Sequence, residues 1–546
     1  MKKRALAFLS ASLSCALVVG LPASASETLS FSYGPLIRSL KISSLKTFAD
    51  GGVVPDDLAF FLQFTTPEQQ ERLRTVLVKQ AKLDPLLVSR FFYSGIGESV
   101  LKRLGNGITL SSGGNGMYAL RSAMIGAAFS KEGLSLLSVF QQLPTGVRIQ
   151  GEKIQAGAKV GKKIIVATDT LTKLLRSLTA KEAATDSNFN YANLPDPRKP
   201  GPFKVEEAVW NLNDKTRDRK FYVNVYRPVG DSQQKIHVVV FSHGLFSRPE
   251  AYAEGLRQLA SYGFVVAAPQ HPGSDSIRLK ETLRGLHKDL FDINDFINRP
   301  KDLSFVLDEL NRRNASDYGG RLDLASVGVF GHSFGGYTAL ALSGATIDFD
   351  YLQKSCDKET GGLVPSLLLE CRALLLPRKA YQLQDPRAGA VFAANPVNRS
   401  IFGPVGLSRI AIPVLLASGS YDPAAPAALE QASSFTWLKS PQKYWMMAEG
   451  QAHVNFSQID PGIKEAIESV GTLTIPSQNL IGSYISGTAV PFFTAYVQKS
   501  DTFKPHLRSA YAEYLSKGQT FKLDFITGSS SPELVTAIDT FRRANP

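Results

Sequence analysis

The feature that most constrains this chain is a strand running without a gap into a serine flanked by glycines. Ser326-Val-Gly-Val-Phe330 is β-type, Gly331-His-Ser-Phe-Gly335 follows it, and the small-residue run from Tyr337 to Leu342 reads as a helix. Taken alone, the pattern G-x-S-x-G is weak, because ordinary glycine and serine usage gives about 0.2 chance matches in a chain of 546 residues. Its place between strand and helix gives it weight. A turn this tight leaves no room for side chains beside the serine, which accounts for Gly331 and Gly335. The hydroxyl of Ser333 is then presented at a helix N-terminus, whose dipole favours developing negative charge.

The surrounding sequence has the rhythm of a layered α/β fold. KIHVVVFSHG, FVVAAPQHPG, AGAVFAAN, IPVLLASGS and KYWMMAEG are apolar runs of strand length. PEAYAEGLRQLASYG, RPKDLSFVLDELNRR and PAAPAALEQASS, between them, have helical character. Buried strands alternating with helices predict a mostly parallel sheet with helices on both faces. VEEAVWNL and KFYVNVYRP precede them as a strand pair, so residues 203–546 form one catalytic domain, with an insert at about 345–387.

A serine nucleophile needs a base, and the base needs an orienting acid. Asp422 follows IPVLLASGS and His453 follows KYWMMAEG, so both lie at the carboxyl ends of strands, the edge where Ser333 emerges. The order Ser, Asp, His fits the same turn. Ser333 is therefore the expected nucleophile, His453 the base and Asp422 its orienter, with Asp275 and Asp385 as reserve acids. The backbone N–H groups of Phe334 and Leu245 are the expected oxyanion donors, and Gly244 lets the second approach closely. His243 and His332 are expected to hold loops by hydrogen bonds, and His271 to shape the pocket rim. No cluster has metal-ligand spacing and no phosphate-binding glycine loop is present, so neither metal nor cofactor is expected.

The N-terminal part reads differently. MKKR, the apolar ALAFLSASLSCALVVGL and Ala23-Ser-Ala25 form a signal peptide over residues 1–25, which predicts export to the periplasm or the cell exterior. Cys15 leaves with it. The remaining pair, Cys356 and Cys371, is expected to form one disulfide. Residues 26–150 are expected to form a small all-helical domain. Thr66, Pro67 and Gln69 open one helix as a capping box, and Asp84 with Pro85 opens another. Residues 151–202 read as a basic amphipathic helix followed by the proline-rich NLPDPRKPGPF, where the domain boundary is placed. Sixty-one Lys and Arg against 48 Asp and Glu leave a net charge of +13, or +10 without the leader. That charge fits a solvated basic surface, or peripheral contact with an anionic membrane or envelope surface. Export, and the lack of a long Lys/Arg block, argue against nucleic acid as a partner.

FSHGLFSRPEAY, VVAAPQHPGSDS and GHSFGGYTALAL resemble the platelet-activating-factor acetylhydrolase and dienelactone-hydrolase-like branch of the α/β-hydrolases. The whole layout, starting ETLSFSYGPLIRSLKISSLKTFADGG, resembles a cyanobacterial group of exported α/β-hydrolases in which a helical domain precedes the catalytic one. The resemblance implies the α/β-hydrolase fold, and its motifs match at Ser333, Phe334, Leu245 and His453. Two departures weaken any transfer of substrate. Dienelactone hydrolases use a cysteine where Ser333 stands, and acetylhydrolases of this branch carry their acid in the segment that is AVFAANPVN here, which has no carboxylate. The expected activity is that of an exported serine ester hydrolase, carboxylesterase- or lipase-like, cleaving lipid-like or other apolar esters through an acyl-enzyme. An acyltransferase with the same three residues is the enzymatic alternative, separated by whether water alone accepts the acyl group. A non-catalytic envelope-binding protein is the other, against which the three residues argue.

Overall fold

The sequence upstream of residue 151 builds more than helices. The computed structural model describes residues 25–186, 189–230, 234–358, 364–453 and 476–545, so the expected leader, apart from Ala25, lies outside the described residues. Thr28–Tyr33 (β1), Leu36–Lys41 (β2), Ile108–Leu110 (β3) and Val147–Gln150 (β4) form a mixed sheet in the order β2-β1-β4-β3. The expectation of an all-helical domain is corrected by this sheet. Its strands are three to six residues long and partly exposed, so they carry little hydrophobic pattern. A hairpin turn at Gly34, φ +55°, joins the first two. The helix starts stand as read. Thr66 and Gln69 form a reciprocal capping box, and the Asp84 carboxylate accepts from the Leu86 and Leu87 N–H groups. Leu29, Leu45, Phe48, Leu58, Ala123 and Leu143 are among the residues of this unit's own apolar core.

The second unit is built on nine strands: Lys204–Asp214 (β5), Arg219–Val229 (β6), Ile236–Ser242 (β7), Phe264–Pro269 (β8), Leu322–His332 (β9), Ala388–Ala394 (β10), Val414–Gly419 (β11), Lys443–Ala448 (β12) and Leu523–Thr527 (β13). They lie in the order β13-β12-β11-β10-β9-β7-β8-β6-β5. The six from β8 to β12 pair in parallel, and antiparallel strands close both ends. Two large apolar clusters cover the two faces, one with Val238, Val240, Val329 and Leu416, the other with Val239, Phe241, Phe330 and Leu415. Neighbouring residues fall into opposite clusters because side chains alternate along a strand. This is the mostly parallel sheet, faced by helices on both sides, that the sequence predicts, with one added edge strand.

The basic helix is present as Gly151–Thr185, but it does more than link. Leu171, Leu175 and Leu178 belong to the core of the second unit. Arg176 pairs with Asp524 at 2.6 Å and with Glu449 at 3.1 Å. Thr179 donates to the Phe525 carbonyl at 3.1 Å and accepts from its N–H at 2.9 Å. An edge strand exposes unpaired main-chain groups, and here a helix covers them. The second half of this helix therefore belongs to the catalytic unit, upstream of the proline-rich boundary placed from sequence. The proline-rich segment itself lies along that unit, with the Gln258 amide donating to Pro197 O and the Ser261 hydroxyl accepting from Gly201 N–H.

The insert contains helices Phe349–Asp357 and Pro365–Glu370, joined by the Cys356–Cys371 disulfide with its Cα atoms 5.8 Å apart. Helix Pro365–Glu370 packs on helix Gly95–Gly107 of the first unit. Asp289 accepts from Gly95 N–H at 2.9 Å and lies 3.7 Å from Arg372.

Candidate active site

Ser333 stands between β9 and helix Phe334–Leu342 with φ +57° and ψ −118°, a conformation that L-residues adopt only under constraint. The constraint is steric and mutual. A Cβ on Gly331 would lie 2.0 Å from the Gly335 carbonyl oxygen, and one on Gly335 would lie 1.9 Å from that of Ser242. Ser333 N–H still donates to Ala394 O at 2.9 Å, so the turn remains tied to β10.

The three residues chosen from sequence meet. His453 Nε2 lies 2.7 Å from Ser333 Oγ, and His453 Nδ1 lies 2.7 Å from Asp422 Oδ2. Asp422 also accepts from Asn395 Nδ2 at 2.7 Å and from the Ala424 and Ala425 N–H groups at 2.9 and 2.8 Å. A buried carboxylate with four donors is held ionised and in one orientation. Burial alone would raise its pKa, but the imidazole and the hydrogen bonds override that and hold it below the usual 3.8. For His453, burial opposes protonation, and the Asp422 carboxylate reverses the balance and raises the pKa above 6.5. Asp275 and Asp385 are committed elsewhere. The first caps helix Ser276–Leu283 and the second pairs with Arg387.

A relay of neutral groups fixes the backbone around this chain. His332 Nε2 must donate to the His453 carbonyl at 2.9 Å, because a carbonyl only accepts. Its Nδ1 then accepts from Tyr252 OH at 2.9 Å, and Tyr252 in turn accepts from Gly244 N–H at 3.3 Å. Burial, aided by neighbouring His453, pushes the His332 pKa down to about 3, so the ring stays neutral. His243 behaves likewise: its Nδ1 donates to Gly244 O at 2.8 Å and its Nε2 accepts from His271 N–H at 3.1 Å. His243 and His332 thus hold loops, as their places in the sequence suggest.

His271 does not lie at a pocket rim. It is fully buried, bonded to Ser242 Oγ and Asp302 Oδ2, both at 2.9 Å, inside a charged cluster with Arg217, Arg219, Arg299 and Asp295. Asn395, Tyr252 and this cluster carry no local sequence signal, since their partners lie tens of residues away.

The loop after β7 runs beside the serine, because a Cβ on Gly244 would come within 3.5 Å of Ser333 Cβ. The next N–H, that of Leu245, and the N–H of Phe334 have no acceptor among the described residues. Two donors beside a serine hydroxyl, with a histidine to take its proton, can stabilise an oxyanion formed by attack on a carbonyl. Among the described residues no group of three or more His, Cys, Asp or Glu is placed to hold a metal ion.

A model of an alpha/beta hydrolase of unknown function (DUF1400) matches residues 25–150, the first unit. A model of the alpha/beta hydrolase family matches residues 239–519, just over half of the chain. No curated protein matches it. The sheet order, the strained serine turn and the second match together make this chain a member of the alpha/beta hydrolase family.

Proposed function

We propose that this hydrolase is an exported serine ester hydrolase. The observation that carries the reading is the chain of two 2.7 Å contacts from Ser333 through His453 to Asp422. In the proposed reaction Ser333 Oγ attacks the ester carbonyl carbon while His453 Nε2 takes its proton. The carbonyl oxygen becomes an oxyanion bound by the N–H groups of Leu245 and Phe334. The tetrahedral intermediate collapses, His453 protonates the departing alkoxide, and the acyl group remains on Ser333. Water, deprotonated by His453, then attacks the acyl carbonyl, and collapse of the second tetrahedral intermediate releases the acid while His453 returns the proton to Ser333 Oγ. Asp422 keeps the imidazole in the required tautomer.

Lipid-like or other apolar esters are the proposed substrates. Helix Pro365–Glu370 of the apolar insert packs against the first unit, and Ile96 of that unit packs against the catalytic core, which favours an apolar wall above the serine. The leader pattern and the disulfide support export, and no helix among the described residues is long and apolar enough to cross a membrane. Lys153, Lys159 and Lys162, beside exposed Ile154 and Ile165 on the long helix, support peripheral contact with an anionic lipid surface.

The test is labelling with a fluorophosphonate probe, followed by hydrolysis of a chain-length series of nitrophenyl esters. Covalent labelling of Ser333, lost in Ser333→Ala, and release of free acid with water as acceptor are the expected results. Labelling without turnover, or acyl transfer to an alcohol in preference to water, would overturn the hydrolase reading.

A further inference from the structure

Arg299 lies on helix Asp295–Tyr318 and is fully buried. A buried guanidinium ordinarily faces a carboxylate in a fork. This one does not. Its nearest carboxylate oxygen, on Asp295, is 3.9 Å away, and that carboxylate bonds Arg219 at 2.8 Å. The shorter bonds of Arg299 run to the His243 carbonyl at 2.6 Å and the Ser274 hydroxyl at 2.7 Å, with a longer one to the Gly244 carbonyl at 3.5 Å. The guanidinium carbon Cζ lies over the Phe334 ring, 4.5 Å from its centroid.

Two of these contacts fall on consecutive peptide groups, those whose carbonyls belong to His243 and Gly244. In a planar trans peptide the C=O and the following N–H point in opposite directions. The Gly244 carbonyl accepts from His243 Nδ1 at 2.8 Å, Ser247 N–H at 3.2 Å and Arg299 Nη2 at 3.5 Å, and it shares its peptide plane with Leu245 N–H. Fixing that oxygen from behind aims the N–H forward. The ring under the guanidinium belongs to Phe334, whose N–H is the other proposed donor. Arg299 also takes the His243 carbonyl at 2.6 Å, so it ties the two consecutive peptide groups on either side of Gly244, a residue whose backbone has the widest conformational freedom.

We infer that Arg299 is a positioning residue of the oxyanion hole: it helps to brace, from behind, the peptide group that carries Leu245 N–H, and it packs on the ring of Phe334, the residue that carries the other donor. The inference rests on the serine hydrolase reading. Burial lowers the Arg299 pKa only to about 10, so the charge persists at neutral pH behind the place where the oxyanion forms.

The test compares wild type with Arg299→Lys, which keeps the charge and loses the planar fork. It uses a short soluble nitrophenyl ester, a trifluoromethyl ketone that forms a tetrahedral oxyanion adduct on serine, and an ether analogue that cannot react. Arg299→Lys should lower kcat about 10- to 100-fold and weaken the ketone adduct by a similar factor, with KM and ether affinity unchanged. A folded variant with unchanged kcat and adduct affinity overturns the inference, as does an equal loss of ether affinity. If Arg299→Lys does not fold, Ser274→Ala removes the anchor of Nε and should lower kcat and adduct affinity about 3- to 10-fold at constant KM. Unmoved values there also overturn it. The two readings fail distinguishably. Wild-type protein that neither takes the fluorophosphonate at Ser333 nor hydrolyses the ester removes the hydrolase reading and the inference with it. Active wild type with unaffected variants removes the inference alone.

Discussion

His332 donates from Nε2 to the main-chain carbonyl of His453 over 2.9 Å, so the neighbour of Ser333 holds the backbone of the residue that bonds Ser333. Ser333→Ala removes the hydroxyl, whereas His332→Phe removes only this tether and the bond to Tyr252. His332→Phe should retain fluorophosphonate labelling but lower kcat on the order of 10- to 100-fold, with a smaller change in KM. Single-turnover acylation rates check this. An unchanged acylation rate would mean that the loop positions His453 unaided.

Ser333→Ala should lose on the order of 10⁴-fold or more of the esterase rate. Asp422→Asn keeps the shape but removes the charge and one acceptor oxygen, so a loss of about 10⁴-fold is expected, in a folded chain with a lowered Tm. Steady-state rates and thermal melts check both. Turnover near wild type in Asp422→Asn would assign the acid elsewhere.

The pH dependence has two parts. The reaction needs neutral His453, whose pKa is raised, so kcat/KM should fall as pH drops, with its acidic midpoint above 6.5. Stability follows other groups. His243, His271 and His332 are buried with depressed pKa values, so between about pH 6.5 and their folded values the unfolded chain binds more protons. Their contribution to stability should therefore fall as pH drops below 6.5. Asp422, held below 3.8, adds its own loss only as pH falls through its folded value. His453 runs the other way: its contribution is full below pH 6.5 and is lost as pH rises through its raised value. His237 and His506 are lowered too and act in the same sense, whereas the buried carboxyls of Asp275, Asp295, Asp302, Glu370 and Asp524, with raised pKa values, oppose them as pH falls. The histidine contribution is read by comparing urea midpoints of wild type and His332→Phe from pH 7.5 to 4.5, where the variant should lose less stability below pH 6.5.

Reducing Cys356–Cys371 opens a loop with a sequence separation of 15 residues. In the chain-entropy model that costs about 3 kcal/mol. The cost should appear as a lower Tm in dithiothreitol, with Cys356→Ser/Cys371→Ser matching the reduced protein. Arg372 follows the bridge and meets Asp289 near Gly95, so the packing of the first unit on the insert should loosen too. Hydrogen exchange in residues 95–107 reads that.

Two truncations should behave differently. A chain beginning at Lys199 loses Leu171, Leu175, Leu178 and Thr179, and with them the cover over β13. It should be insoluble or melt far below wild type. A chain beginning near Ala167 keeps these residues and should fold and label. The apolar-wall reading predicts a changed ratio of long- to short-ester hydrolysis in the second chain. An unchanged ratio would take the first unit out of the pocket.

The site was legible where chemistry coincides with local pattern. Ser333, Asp422 and His453 each end an apolar strand run, and glycine spacing marks the serine turn. Arg299, Asp302, Tyr252 and Asn395 were not legible, because a buried charge or amide is satisfied by partners far along the chain. Arg219 and Asp302, for instance, are 83 residues apart. His271 looked like a rim residue because it follows a strand at the right edge, yet Asp302 and Ser242 draw it inward. PAAPAALEQASS has helical character in sequence, yet only its last residues are helix. The helix starts only at Gln431, because the Asp422 carboxylate takes the Ala424 and Ala425 N–H groups and two prolines interrupt the stretch. β13 is five residues long and was missed, as were the strands of the first unit.

The bond between Thr179 and Phe525 has a consequence for the time at which the molecule becomes complete. The two residues are 346 positions apart. The core of the first unit joins residues within about 120 positions of each other and can assemble early during synthesis. The catalytic sheet can pair most of its strands in turn, but its β13 edge stays open until the ribosome has passed residue 527, while the helix that must cover it waits far upstream. Contacts of such long sequence separation form slowly. An almost finished chain therefore carries both an open strand edge and an uncovered Leu171–Leu178 stripe, and this late, adhesive state, rather than the finished fold, is where a chaperone or a translocation channel would have the most to grip.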